Sequence, residues 1–287
     1  MKASKSEKVF QFFNYLILTA LAIVTLYPFW YVVVASLSEP AKLLQVGDIL
    51  LRPVGFTLNA YKSVLKNPSI YSGYANTIFY VVAGSAVNML MTSLAAYVLS
   101  RKGLMLKRFF TLMFIFTMYF SGGLIPKYLL MLDLNLLNNR LALIIPGAVS
   151  TYNLLILITG FGSVPDSLEE SARIDGASHL RILFNIILPL AKPTMMVILM
   201  YYAVGHWNAW FDAMIYIRDG SKMPLQLYLR NILVLSQTAE MQGIDVEDIG
   251  TTVKYATIIV STLPILCIYP FIQKHFVSGV MIGAVKE

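Results

Sequence analysis

The 287 residues are 57% hydrophobic and 13% charged, with 22 Lys and Arg against 15 Asp and Glu and a net charge of +7, where a soluble domain averages about 25% charged residues. With a mean hydropathy of +0.69, this excludes a disordered chain, a collagen-like repeat and a disulfide-rich secreted scaffold, and leaves a polytopic membrane protein. The single cysteine, Cys267, lies in an apolar run and reads as a packed thiol.

Stretches without Asp, Glu, Lys or Arg locate the spans. They are expected at about 10–37, 74–100, 109–126, 141–161, 193–217 and 255–273, each long enough to cross a hydrocarbon core as a helix. The fold class is therefore all-α, with six transmembrane helices in one permease-sized domain over 1–287. The first apolar run is too long for the core of a signal peptide and reads as a retained helix. The short segment 101–108 holds Arg101, Lys102, Lys107 and Arg108 with no acid, and Lys2, Lys5 and Lys8 face Glu7 alone. The positive-inside rule then puts both termini in the cytoplasm of a multi-pass protein. The outer segment from Glu39 to Gly73 carries Pro40, Pro53 and Pro68 and is expected to be structured. The piece from Leu225 to Leu235 is short, holds Arg230 and reads as an interfacial or loop helix.

The loop 164–192 is the most informative. Ser167 with Glu170, or Asp166 with Glu169, has the spacing of a capping box. Acids crowd the first turn, where the helix dipole favours them, and Gly176 is placed to end the helix in a left-handed conformation. Leu168, Ala172 and Ile174 give a partly apolar face. A second helix from Ser178 is interrupted by Pro189 and Pro193. On physical grounds this helix–turn–helix is either an amphipathic interfacial linker or a docking surface.

The run Glu169-Glu170-Ser171-Ala172-Arg173-Ile174-Asp175-Gly176-Ala177-Ser178, continuing to Leu188-Pro189 and Pro193, closely resembles the EAA loop of ABC-importer permeases, with Ser171 where many members carry Ala. Trp207-Asn208-Ala209-Trp210-Phe211 resembles the signature of the maltose-permease-like group of carbohydrate importers, and Phe120-Ser121-Gly122-Gly123-Leu124-Ile125-Pro126 with Leu168-Glu169-Glu170-Ser171 resembles its complex-oligosaccharide branch. The resemblance implies a type I importer permease fold in a bacterial cytoplasmic membrane. It implies a homologous but different permease as partner in a heterodimer, two ATP-binding subunits and an extracytoplasmic sugar-binding protein. Glu169, Glu170, Ala172, Asp175 and Gly176 would form the coupling helix that seats on the ATPase.

The sequence has no phosphate-binding G-x-x-x-x-G-K-[ST] loop, no His-Glu-x-x-His helix and no G-x-S-x-G nucleophile motif. No cofactor, metal or catalytic residue is expected on this chain, and by the resemblance ATP and Mg belong to the ATPase. No nucleic acid is expected as a partner. Candidate sugar contacts are Tyr152 and Asn153 in the fourth span and Tyr201, Trp207, Asn208, Trp210 and Asp212 in the fifth, with interface-belt aromatics and packing amides as the alternative. Asp212 stands out because a lipid-facing carboxylate costs ~2.5–3.5 kcal/mol. The competing reading of the whole is a single-chain secondary transporter or channel, which needs mid-membrane coupling charges, and the spans hold almost none beyond Asp212.

Overall fold

The computed structural model describes residues 5–47, 49–241, 250 and 252–267. In chain order its main helices are α1 (Lys5–Ser36), α2 (Asn59–Lys66), α3 (Pro68–Ser100), α4 (Lys107–Tyr119), α5 (Leu124–Asp133), α6 (Thr151–Gly162), α7 (Asp166–Ile174), α8 (His179–Leu190), α9 (Lys192–Asn208), α10 (Phe211–Tyr216), α11 (Leu225–Met241) and α12 (Thr252–Cys267). No strand occurs among the described residues. These residues cluster into two compact units, one from Met1–Pro68 and Leu229–Pro264, the other from Ser69–Tyr228 and Ile265–Glu287.

In the first unit, α1 is apolar along most of its length and its outward side chains are bare, Phe10 and Phe29 each at 70% exposure. Such a surface is stable only against lipid or protein. The segment after α1 folds back on its end, as the prolines lead one to expect. Val34, Ala35, Leu43 and Leu50 form a small core. Ser38 Oγ donates to Val34 O at 2.8 Å and accepts from Val54 N at 3.1 Å. Tyr27 Oη accepts from Leu50 N at 3.0 Å, and Trp30 Nε1 donates to Leu51 O at 3.0 Å.

The second unit holds the larger core, in which Ala96 and Tyr97 of α3, Leu154, Leu157 and Phe161 of α6, Ile182 and Ile187 of α8 and Ile198 and Tyr202 of α9 are buried. Here the expected spans are more broken than charge-free runs suggest. Among the described residues, only α1 and α3 are single helices long and apolar enough to cross a membrane. The helices α4 and α5 pass that test only as a pair bent by 111°, and α8 with α9 as a pair bent by 89°. Gly123, at φ +88°, lies in the break between α4 and α5, a conformation cheap only for glycine. The expected span 141–161 is reduced to the 12-residue α6, because Pro146 and Gly147 interrupt it. The expected span 193–217 stops at Asn208 and resumes after the extended Ala209 as the six-residue α10. The sixth span is represented by α12, and positions 268–273 lie outside the described residues. Cys267 is exposed, not packed. It shares that outward position with Leu263 and Leu266, so nothing among the described residues covers it.

Side chains from neighbouring helices satisfy the backbone that these breaks open. Asn88 Nδ2 donates to Gly147 O at 2.5 Å, and Ser150 N donates to Tyr202 Oη at 3.0 Å. The Tyr202 hydroxyl is also 2.7 Å from Thr92 Oγ1. Unsatisfied peptide groups are intolerable at membrane depth unless protein supplies partners, and here it does. Asn88 is itself held by His206, whose Nε2 lies 2.7 Å from Asn88 Oδ1. The π-turn Tyr80–Gly84 within α3 brings Gly84 against that imidazole, so a Cβ at 84 would collide with the ring.

Gly84→Val is therefore expected to destabilise the detergent-solubilised protein by about 1–3 kcal/mol through overpacking. At Gly205 an added Cβ would meet nothing within 4 Å, so Gly205→Ala should change stability by no more than about 0.5 kcal/mol. Thermal denaturation of the two variants side by side checks the contrast.

Candidate functional site

The segment 164–192 forms the helix–turn–helix expected of it, with one difference in its start. The N-cap of α7 is Pro165, and no side chain caps the helix. Neither capping box forms: cations elsewhere claim the Asp166 and Glu169 carboxylates, and Glu170 is exposed. Asp166 Oδ2 pairs with Lys102 Nζ at 2.6 Å, and Glu169 turns inward. The C-terminus is as expected. Gly176, at φ +79°, donates to Arg173 O at 3.0 Å, and Ala177 N donates to Ala172 O at 2.9 Å. That pair of bonds is the Schellman motif, which needs the left-handed residue. Ser178 then caps α8 by accepting from Arg181 N at 3.4 Å. Within α8 a π-turn at Leu183–Ile187 precedes Pro189, consistent with a proline that lacks an N–H and crowds the preceding turn. The chain then bends by 89° into α9.

Glu169 is 5% exposed. Its Oε2 accepts from Arg101 Nη1 at 2.7 Å, and its Oε1 accepts from Arg173 Nη2 at 2.6 Å and from Tyr97 Oη at 3.2 Å. Arg101 also donates through Nη2 to Phe161 O at 2.8 Å, in the last turn of α6, and through Nε to Ser100 Oγ at 3.0 Å. Its guanidinium lies 5.4 Å from the centre of the Tyr97 ring. Residue 101 is where α3 ends, its backbone extended at ψ 148°. One side chain thus ties the ends of α3 and α6 to α7. In the sequence Arg101 is visible only as one of four cations in an acid-free loop, which marks topology and not a partner. A cavity of about 710 Å³ opens beside this network, bounded among others by Val98, Lys102, Glu170 and Leu180.

The rest of α7 points outward. Ile174 is 87% exposed, Leu168 42% and Leu180 on α8 60%. Glu170, Asp175 and Gly176 are exposed, while Ala172 packs against the core. The five residues expected to meet the ATPase therefore divide between an outer face and an inner one, and Glu169 belongs to the inner one.

The seven candidate sugar contacts have different surroundings. Tyr152 and Tyr201 have ring centres 6.2 Å apart, and Asn153 is buried. Trp207 is buried 6.4 Å from the ring of Tyr74, with Nε1 lacking a hydrogen-bond partner among the described residues. Asn208 Nδ2 donates to Val204 O in its own helix at 3.0 Å, and Trp210 packs edge-on to Phe211 at 5.6 Å. Asp212 is not a lone carboxylate, because Lys127 Nζ lies 3.2 Å from both of its oxygens. The break between α4 and α5 is what delivers Lys127, a residue just beyond the expected third span. No group of three or more potential metal ligands occurs among the described residues.

The two ion pairs that Arg101 and Lys102 make with α7 differ in strength. Hydrogen bonding to Lys102 holds the Asp166 carboxyl below its ordinary pKa, and Asp166 holds the Lys102 ammonium above its own. That contribution is present above the ordinary carboxylate range and fades as pH falls through the lowered Asp166 value. Both partners are solvated, so the pair adds little to stability. Removing one partner of a buried pair, by contrast, costs about 3–5 kcal/mol. Lys102→Ala should thus leave thermal stability near wild type, and Arg101→Ala should lower it severely, as calorimetry or a thermal-shift assay would record.

A family model described as the binding-protein-dependent transport system inner membrane component matches residues 93–282. Among relatives, the polygalacturonan/rhamnogalacturonan transport system permease protein of Bacillus subtilis (strain 168) is 40% identical over 98% of this chain and 99% of its own length. Protein LplC of the same organism is 39% identical over 100% and 98%. The trehalose/maltose transport system permease protein of Thermococcus litoralis is 30% identical over 93% of both. A crystal structure of a bacterial ABC transporter involved in the import of the acidic polysaccharide alginate contains a chain that matches with a TM-score of 0.87 and 35% identity, over 96% of this chain and 99% of that one. With its all-α fold and its EAA-like loop, the chain belongs to the family of binding-protein-dependent transport system inner membrane components, the permease subunits of ABC importers.

Proposed function

We propose that this chain forms half of the membrane pathway of an ATP-driven oligosaccharide importer and engages its ATPase through the outer face of α7. The single observation that carries the coupling assignment is Ile174, an isoleucine 87% exposed at the end of a charged nine-residue helix. The opposite face of that helix is held by the inward-turned Glu169, which accepts from Arg101 Nη1 and Tyr97 Oη. An apolar side chain held out on a rigid polar helix is costly in water and suits a partner's pocket. In this reading Leu168, Glu170 and Ile174 meet the ATPase, and Asp175 and Gly176 shape the turn beside it. ATP and Mg reside on that subunit. The remaining parts of the assembly are a homologous permease, a second ATP-binding subunit and an extracytoplasmic binding protein. The chain sits in the bacterial cytoplasmic membrane with six spans and both termini in the cytoplasm, a topology supported by the acid-free loop 101–108.

The substrate class we infer is an oligosaccharide bearing uronic-acid carboxylates. Support comes from the names of the 40%-identical relative and of the alginate importer. It also comes from the cations of the outer segments in this topology, Lys127, Arg140, Arg218 and Lys222.

An ATP-binding subunit should copurify with the tagged chain from its native host. Ile174→Asp and Glu170→Lys should each weaken that association by about tenfold or more, the scale of an interface hot spot. Full retention and full uptake in both variants would remove the coupling assignment. For the substrate, proteoliposomes carrying the whole importer are expected to accumulate labelled oligogalacturonide, with excess unlabelled oligogalacturonide competing and maltooligosaccharide not. The reverse order of competition would replace the acidic class with a neutral one.

A further inference from the structure

We propose that Arg101 is the strut that carries movement of α7 to the helices above it, and that Glu169 is its internal socket and not an ATPase contact. This inference rests on the coupling role proposed for α7 and adds how displacement leaves that helix. Three geometric facts support it. Arg101 reaches two structures at once, Glu169 on α7 at 2.7 Å and the Phe161 carbonyl of α6 at 2.8 Å. Its own backbone ends α3, so three elements meet in one residue. Its side chain is 13% exposed and that of Glu169 is 6% exposed, so water does not soften the linkage.

The chemistry explains why arginine stands there. A planar guanidinium with several fixed donors can hold a carboxylate and a carbonyl together, whereas a lysine ammonium on a flexible stem serves as one point charge. The carbonyl of Phe161 lies among the last four of α6, where Val164 N also reaches it at 3.3 Å, and a cation at that end meets the negative pole of the helix. Tyr97 Oη fixes the second carboxylate oxygen and lies 3.3 Å from His179 Nδ1 on α8, so the helix beyond the Gly176 turn is joined to the same network. Arg173 reaches Glu169 from the exposed side, with 52% of its side chain open to solvent. It closes the socket without linking α7 to another helix. A push on the outer face of α7 then moves the ends of α3 and α6 with it, where a loosely attached α7 would tilt alone.

The test uses the complete importer, with its partner permease, ATPase and binding protein, in proteoliposomes loaded for simultaneous measurement of uptake and ATP hydrolysis. Arg101→Lys keeps the charge and gives up the double reach. Glu169→Gln keeps the shape and gives up the charge. Each is expected to lower sugar transported per ATP hydrolysed by about 3- to 30-fold, the range of coupling effects carried by residues that touch neither ligand. The ATPase should remain bound in its wild-type ratio. An unchanged transport-to-hydrolysis ratio would overturn the strut. Loss of the ATPase from the purified Glu169→Gln complex would also overturn it, because Glu169 would then be a docking side chain. Should Glu169→Gln fail to accumulate, Arg101→Lys alone decides by the same ratio. Failure of the wild-type chain to copurify with any ATPase would instead remove the underlying coupling assignment, and the two failures are therefore distinct.

Discussion

A buried carboxylate is the constraint on which the packing of α7 in this permease depends. A carboxylate left alone in a low-dielectric setting is costly, and Glu169 is not left alone. Three donors hold it in place, from Arg101, Arg173 and Tyr97. Those from Arg101 and Tyr97, which lie outside α7, fix the rotation of that helix about its axis. Successive helical positions lie about 100° apart, so turning Glu169 inward sets which neighbours face out, and these include Glu170 and Ile174. The acidic pair of the loop is thus two residues with separate duties, one anchoring the helix and one displayed by it.

The bilayer imposes a second constraint, and the interrupted helices show how the chain meets it. Every break in the second unit leaves peptide groups that lipid cannot satisfy. Asn88, Tyr202 and Thr92 form a polar seam through the core that serves the break before α6. His206 orients Asn88, and the small Gly84 leaves room for its ring. These amides and hydroxyls serve the backbone, and Asn208 Nδ2 likewise donates to a carbonyl, Val204 O of its own helix. Asp212 and Lys127 follow the same rule. Two groups costly in lipid are tolerable together where α5 and α10 meet, and their remaining exposure of 40% for Lys127 and 43% for Asp212 favours an aqueous or protein-covered face over a lipid-covered one.

Much of this was legible in the sequence. The charge-free runs located the apolar segments, Pro40 and Pro53 foretold a structured segment after α1, and Gly176 followed by Ser178 marked a helix end and a new start. What escaped had a common cause. Charge-free length measures whether a segment can lie in lipid, and says nothing of whether Pro146-Gly147 or Ala209-Trp210 will break it, since the partners that permit a break come from distant positions such as residues 88 and 202. The inward turn of Glu169 was hidden for the same reason. A capping box needs only local spacing, but Arg101 and Lys102, distant in the sequence, outcompete the local amides for these carboxylates.

Exposed apolar surface carries different information at different depths in this chain. Along α1 it matches the lipid around a spanning helix, and so Phe10 or Phe29 identifies no partner. The same exposure at Ile174 stands beside Arg173, Asp175 and Glu170, on a charged surface that does not suit lipid tails. An uncovered isoleucine there has no solvent that suits it, and the rigid socket behind α7 prevents it from folding back onto the core. Rigidity on one face and misfit on the other are complementary requirements for transmitting force, since a helix free to rearrange would absorb a push and a helix without an adhesive face would never receive one.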